Sequence, residues 1–153
     1  MTETPAPLAP AAAPTLTHVF TELVAIGPAV DCGETSRGRR RMIAILGGRF
    51  EGPDIRGEVL PGGWDWQLVR ADGCVEVVAD YMLRTDDGVV VNVRNTGVIR
   101  PAPNGTAVRT QPVFEAPLGR YAWLSQHAFA GTLELARTET GEPAVRIGIF
   151  RLD

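Results

Sequence analysis

Glycine-marked turns at short intervals limit this chain more than any other feature. From Gly57 to Gly97 the sequence reads GEVLPGGWDWQLVRADGCVEVVADYMLRTDDGVVVNVRNTG. Pro61-Gly62-Gly63, Ala71-Asp72-Gly73 and Asp86-Asp87-Gly88 cut it into Val-rich runs that alternate apolar and polar residues. Such runs are strands, and Asp-Gly readily takes the positive φ that tight hairpin turns need. The stretch is therefore an antiparallel meander. It also carries Trp64-Asp65-Trp66, a carboxylate set between two large aromatics.

The same punctuation extends both ways. His18–Ile26 is predicted as a strand closed by Gly27-Pro28, Asp31–Glu34 as a loop, and Arg39–Leu46 as a strand ended by Gly47-Gly48. Glu51-Gly52-Pro53-Asp54 is a turn leading into a strand over Ile55–Leu60. Trp64–Arg70, Val75–Thr85 and Val89–Ile99 follow, then a loop at Arg100–Gly105. Ala107–Phe114 is a strand interrupted by Pro112, and Tyr121–Arg137 is one bent strand or two with Gly131 at the bend. Ala144–Leu152 is the last. That gives about nine strands and no long helix, an all-β chain. Strands joined by tight turns pair as antiparallel neighbours. A closed or nearly closed small antiparallel β-barrel removes the edges and leaves an interior cavity; a two-sheet sandwich is the alternative.

With 153 residues, 44% of them hydrophobic, the chain can bury one core, and residues 16–153 are expected to form one domain. Residues 1–15, MTETPAPLAPAAAPT, show no periodic apolar face and are expected to be a disordered Pro/Ala-rich arm. They lack the basic and apolar segments of a secretory signal. A net charge of -3 offers no broad attraction to nucleic acid or anionic lipid. No apolar run approaches the roughly 20 residues that span a bilayer. Cys32 and Cys74 are expected to be reduced thiols, which places the protein in the cytoplasm. Two histidines and two distant cysteines give no metal-ligand spacing, and the double glycines sit in strand turns rather than at helix starts. No metal and no cofactor are expected.

Alternation selects the side chains that share an interior. In Val75–Leu83 the apolar parity includes Tyr81, and in Val89–Asn95 it ends on Asn95. In Tyr121–Phe129 one parity collects Tyr121, Trp123, Ser125, His127 and Phe129. A few polar groups on otherwise apolar faces are how a ligand cavity is lined. Asp65 is a candidate acid or base with its pKa raised by an apolar wall, or else a turn residue bonded to backbone. Glu115 is a second candidate carboxylate, or a salt-bridge partner of an arginine. Tyr81 and Asn95 are candidate donors to a carbonyl or enolate oxygen, or else a satisfied core tyrosine and a strand-end cap. His127 is a candidate general base, or simply packed. Trp66, Trp123 and Phe129 are candidate walls, with Ser125 a polar contact beside them. In the cluster Arg37, Arg39, Arg40 and Arg41, alternation sends Arg39 and Arg41 one way and Arg40 the other, as on a solvated strand edge.

FEGPDIRGEVLPGGWDWQLVRADG, ADYMLRTDDG, PVFEAP and YAWLSQHAFAGT follow one another in this order. From Leu16 to Leu152 the chain resembles the bacterial and fungal family called domain of unknown function 3237, or uncharacterised protein family 0311. The resemblance implies a small barrel of the allene-oxide-cyclase or calycin type, often a homo-oligomer, and supplies no catalytic residue. Two positions depart from the family pattern: Asp80, where an arginine is expected before Tyr81, and Ser125, where an asparagine is expected after Trp123-Leu124. A ligand contact at either would set this chain's ligand apart.

The expected function is cofactor-independent acid/base chemistry, of isomerase, cyclase or lyase type, on a small apolar carbonyl-bearing or aromatic compound inside the barrel. The alternatives are a lipocalin-like binding protein and a barrel filled by its own side chains. No nucleic-acid or membrane partner is expected.

Overall fold

Residues 64–99 form an antiparallel meander within a closed ring of strands. The expected meander does not extend further back, because the runs on either side of Pro61-Gly62-Gly63 do not pair with each other. The computed structural model describes residues 3–103 and 107–153. Residues 1–2 of the expected arm and 104–106, which include the end of the expected loop at Arg100–Gly105, lie outside the described residues. Residues 3–15 carry no regular secondary structure and are exposed.

Nine strands follow in order: β1 Leu16–Thr35, β2 Gly38–Glu51, β3 Arg56–Val59, β4 Trp64–Val69, β5 Val75–Thr85, β6 Val90–Ile99, β7 Val108–Glu115, β8 Phe129–Arg137 and β9 Pro143–Leu152. Every pairing is antiparallel. β1 pairs with β2 on one side and β9 on the other, which closes the sheet on itself. The long β2 pairs with β3 over Gly48–Glu51 and with β4 over Arg39–Ala44. Since β5 flanks both short strands on the other side, β3 and β4 share one place in the ring. The barrel removes both sheet edges, and the sandwich alternative falls away.

The Pro61-Gly62-Gly63 turn makes that shared place possible. Gly62 has φ 105, in the left-handed region that only glycine adopts freely. At Gly63, a Cβ would stand 2.5 Å from the Cβ of Tyr81 and 2.6 Å from the carbonyl oxygen of Asp80. The motif thus lets the chain run close against β5 beside Tyr81 as it passes from β3 to β4.

Four local expectations are corrected. Gly27-Pro28 does not end the first strand, because register shifts beside Ile26 absorb it and pairing with β2 continues. Asp31–Glu34 is strand with a further irregularity, in which the Asp31 carboxylate accepts from the Gly33 N–H at 2.9 Å. Gly47-Gly48 likewise lies inside β2. The largest departure is at Tyr121–Phe129. Residues Ala122–Ser125 form a short 3-10 helix, so side chains there do not alternate between two faces.

This helix covers one end of the barrel. Leu124 is buried, Ser125 Oγ accepts from the Ala116 N–H at 2.9 Å, and the Tyr121 hydroxyl donates to Asp87 at 2.8 Å. Beneath it Phe20, Phe50, Phe114 and Phe129 form an apolar plug. Ring centroids are 5.2 Å apart for Phe20–Phe50, 5.8 Å for Phe20–Phe114 and 4.9 Å for Phe114–Phe129, in tilted or edge-to-face contacts that aromatic rings prefer. The plug fills one end and leaves the interior above it for a cavity.

Candidate active site in the barrel interior

The cavity holds about 140 Å³ and is lined mainly by Val, Ile, Leu and Ala side chains. Asp65, Gln67, Tyr81, Asn95 and Thr110 are its polar lining. A cavity of ~150 Å³ with apolar walls admits a benzene ring. The space therefore suits one small ring or a short aliphatic chain.

Tyr81 comes from β5, where Val77, Tyr81, Leu83 and Thr85 face inward and Asp80, Met82 and Arg84 face out. Its hydroxyl donates to Glu22 Oε2 at 2.7 Å. Glu22 is fully buried on β1, between inward Phe20 and Val24. Burial pushes its carboxyl from 4.5 up to about 7, against the lowering effect of the Tyr81 hydrogen bond. Burial also holds the Tyr81 phenol well above its usual pKa, and the neighbouring Glu22 adds to that. The Asn95 side chain bonds to the same phenol and pulls the other way. A carboxyl titrating near neutrality, linked through one hydroxyl to an apolar cavity, can give or take a proton there.

A second polar group lies nearer the other end. Asp65 Oδ2 accepts from the Gln67 amide at 2.6 Å and Oδ1 from the Val78 N–H at 2.9 Å. The half-buried Arg41 donates through Nε to Gln67 Oε1 at 2.6 Å. Burial raises the Asp65 pKa, while the Gln67 and Val78 hydrogen bonds oppose it. Asp65 is thus more fully engaged than Glu22, whose Oε1 has no protein partner. Arg40 faces outward and lies over the Trp66 ring at 5.0 Å. Arg39 meets Asp31 and Glu34 on the exposed side.

Of the residues singled out in the sequence, the interior brings together Asp65, Tyr81 and Asn95. Because Asp65 faces inward, its strand neighbours cannot. Trp64 and Trp66 are 55% and 38% exposed on the outer surface, where they border a groove with Met42, Val78, Asp80 and Arg94. Glu115 is exposed at the end of β7. Ser125 and His127 are exposed at the plugged end, with His127 Nδ1 at 2.8 Å from the Trp123 carbonyl oxygen. Phe129 is in the plug, and Trp123 packs over it at 6.5 Å. Trp123, Ser125 and His127 stand apart from the cavity because the 3-10 helix and the turn after it replace the strand that would have carried them inward. Asp80 faces outward, accepting from Asn92 at 2.8 Å, so both departures from the family pattern lie outside the cavity.

Glu22, Gln67 and Thr110 complete the interior. Glu22 carries a readable signal, as the lone acid on the parity Phe20, Glu22, Val24, Ile26. Thr110 shares the inward parity of β7 with Val108, Pro112 and Phe114.

Residues 14–152 match the family described as Protein of unknown function (DUF3237). A UPF0311 protein of Rhodopseudomonas palustris is 40% identical over 129 residues, spanning 75% of this chain and 84% of that one. The crystal structure of a beta-barrel like protein from Acinetobacter baumannii superimposes with a TM-score of 0.82 at 26% identity, over 95% of this chain and 100% of that one. An enzyme from Penicillium herquei shares the fold, with a TM-score of 0.72 at 21% identity over 95% and 98% of the two chains. No helix among the described residues is long and apolar enough to cross a membrane.

Proposed function

This chain belongs to the DUF3237 family, and from the interior of its barrel we propose that it is a cofactor-independent proton-transfer enzyme, of isomerase, cyclase or lyase type. Its substrate is a small apolar molecule with a carbonyl, enol or aromatic hydroxyl group. The observation that carries this reading is the buried Glu22–Tyr81 pair beside a cavity the size of one ring. With Glu22 ionised, Tyr81 accepts a proton from the substrate while passing its own to the carboxylate. With Glu22 protonated, the transfer runs backwards. The phenol needs no free phenolate, which its raised pKa disfavours. Asn95 orients Tyr81, and Asp65 with Gln67 shapes the polar side of the cavity. A barrel fold shared with an enzyme is compatible with this reading and does not supply the reaction.

The test needs no prior substrate. In deuterated water, a panel of small cyclic ketones and hydroxy-enones is incubated with the protein and followed by NMR for deuterium at carbon. Wash-in for at least one compound, slowed tenfold or more by Tyr81→Phe, is the expected result. No exchange across the panel, or an unimpaired Tyr81→Phe, would overturn the proposal. The apolar lining also supports a lipocalin-like carrier, favoured if a bound ligand is recovered unchanged and unexchanged. We place the protein in the cytoplasm as a homo-oligomer. The exposed Trp64–Trp66 face supports self-association, since exposed tryptophans are enriched at interfaces. Sedimentation across concentrations should show a complex that Trp64→Lys weakens; a monomer throughout would remove it.

A further inference from the structure

Three buried side-chain atoms among the described residues have no hydrogen-bond partner: Glu22 Oε1, Asn95 Oδ1 and Thr110 Oγ1. Asn95 and Thr110 are each 3% exposed, and both line the cavity. They sit on adjacent strands, in neighbouring inward positions: Asn95 opposes Pro112, and Thr110 opposes Gly97. Pro112 brings no N–H to this corner. An unmet buried polar group costs ~1–3 kcal/mol, so two together on an apolar wall point to a ligand group that meets both.

The network fixes what that group must offer. The Asn95 side chain bonds to the Tyr81 hydroxyl, which already donates to Glu22. Whatever that hydroxyl does, the Asn95 amide oxygen is an acceptor, and it is buried with no donor among the described residues. Thr110 can donate or accept. Its place is reserved by Gly131 on β8, where a Cβ would fall 2.2 Å from Thr110 Oγ1. A carbonyl oxygen cannot satisfy Asn95 Oδ1, and a methyl group satisfies neither residue. A hydroxyl satisfies both, donating to Asn95 and accepting from Thr110.

We infer that the cavity is built for a hydroxyl on a single small ring, a phenol or cyclic enol, and that Asn95 and Thr110 are the residues that select it. This rests on the proposed function for the site but not for the reaction. A ring hydroxyl held here also lies beside Tyr81, where the proton relay begins.

The experiment uses phenol, anisole and toluene, which share the ring and differ in the donor. Binding to the full chain is measured by calorimetry, with NMR shifts of interior methyl groups to place the ligand. Phenol should bind about tenfold or more tightly than either analogue, the worth of one or two hydrogen bonds. Thr110→Val should reduce that preference to a few-fold, Thr110→Ser should keep it, and circular dichroism should show that both fold. Equal binding of phenol and toluene, an unchanged preference in Thr110→Val, or no binding by any of the three would overturn the inference. A phenol preference without turnover of any hydroxylated ring would instead count against the proton-transfer reading alone.

Discussion

Glu22→Gln should make the protein more stable and nearly inactive at the same time. Glutamine keeps the shape of the side chain and an acceptor for Tyr81 but cannot exchange a proton. Loss of a general acid or base typically costs ~10²–10⁴-fold in rate. The stability change follows from linkage. The carboxyl is raised to about 7 in the fold against 4.5 when solvated. Below about 4.5 both states hold the proton and the group costs nothing. Between about 4.5 and 7 the unfolded chain releases it while the folded chain retains it, so stability falls as pH rises, then levels off above 7. The full cost is on the order of 3 kcal/mol. At pH ~8 the variant should therefore melt roughly 6–12 °C above the wild type, and near pH ~4.5 the two should melt together. Parallel melting curves across this range would show that Glu22 is not a buried titrating group.

Phe114→Ala should be the most damaging single truncation in the apolar plug. Phe114 is 4% exposed and touches both Phe20 and Phe129, so it joins the two sides of the plug. Removing a buried phenyl ring costs about 3–5 kcal/mol, from lost transfer free energy and from the cavity left behind. Against a total stability of ~5–15 kcal/mol this threatens the fold. The same change has a second readout. Phe20 stands two residues before Glu22 on the inward face of β1, so a gap beside it loosens the dry surroundings that raise the Glu22 pKa. In folded Phe114→Ala, the titration of Glu22, followed by NMR of a carboxyl-labelled sample, should move down towards ordinary glutamate. An unmoved titration would mean that the plug does not control the dielectric around Glu22.

The parts of the fold legible in the sequence were those set by local rules. Asp86-Asp87-Gly88 and Asp72-Gly73 make turns wherever they occur, and the alternation in β5 and β6 correctly turns Tyr81 and Asn95 inward. Long-range pairing overrode local punctuation at Gly27-Pro28, where β2 holds β1 in the sheet and an irregularity takes up the misfit. Tyr121–Phe129 misled for a different reason. Its aromatic spacing fits a strand face, yet those rings cap a barrel end from a 3-10 turn. Within Trp64-Asp65-Trp66, the pleat permits an inward acid or inward tryptophans but not both. The parity that exposes Tyr81 as an interior polar group also exposes Glu22, on a strand where a single acid among apolar residues is easily taken for a surface charge. The orphaned Thr110 hydroxyl has no such signal, since it depends on Gly131 being opposite.

Ring closure has a consequence for how the molecule assembles. Most strands pair with a sequence neighbour, but the β1–β9 seam joins Leu16 to Leu152. Contacts so distant along the chain form late, because the entropy of bringing them together is spent before any reward. Until the seam zips, the open sheet has two bare edges and is prone to stick to other chains. Glu22 sits on that seam, opposite Ile147 of β9. Closing the seam is thus also what takes the acid out of water. In alkaline solution, closing the seam must therefore either capture a proton or bury a charge.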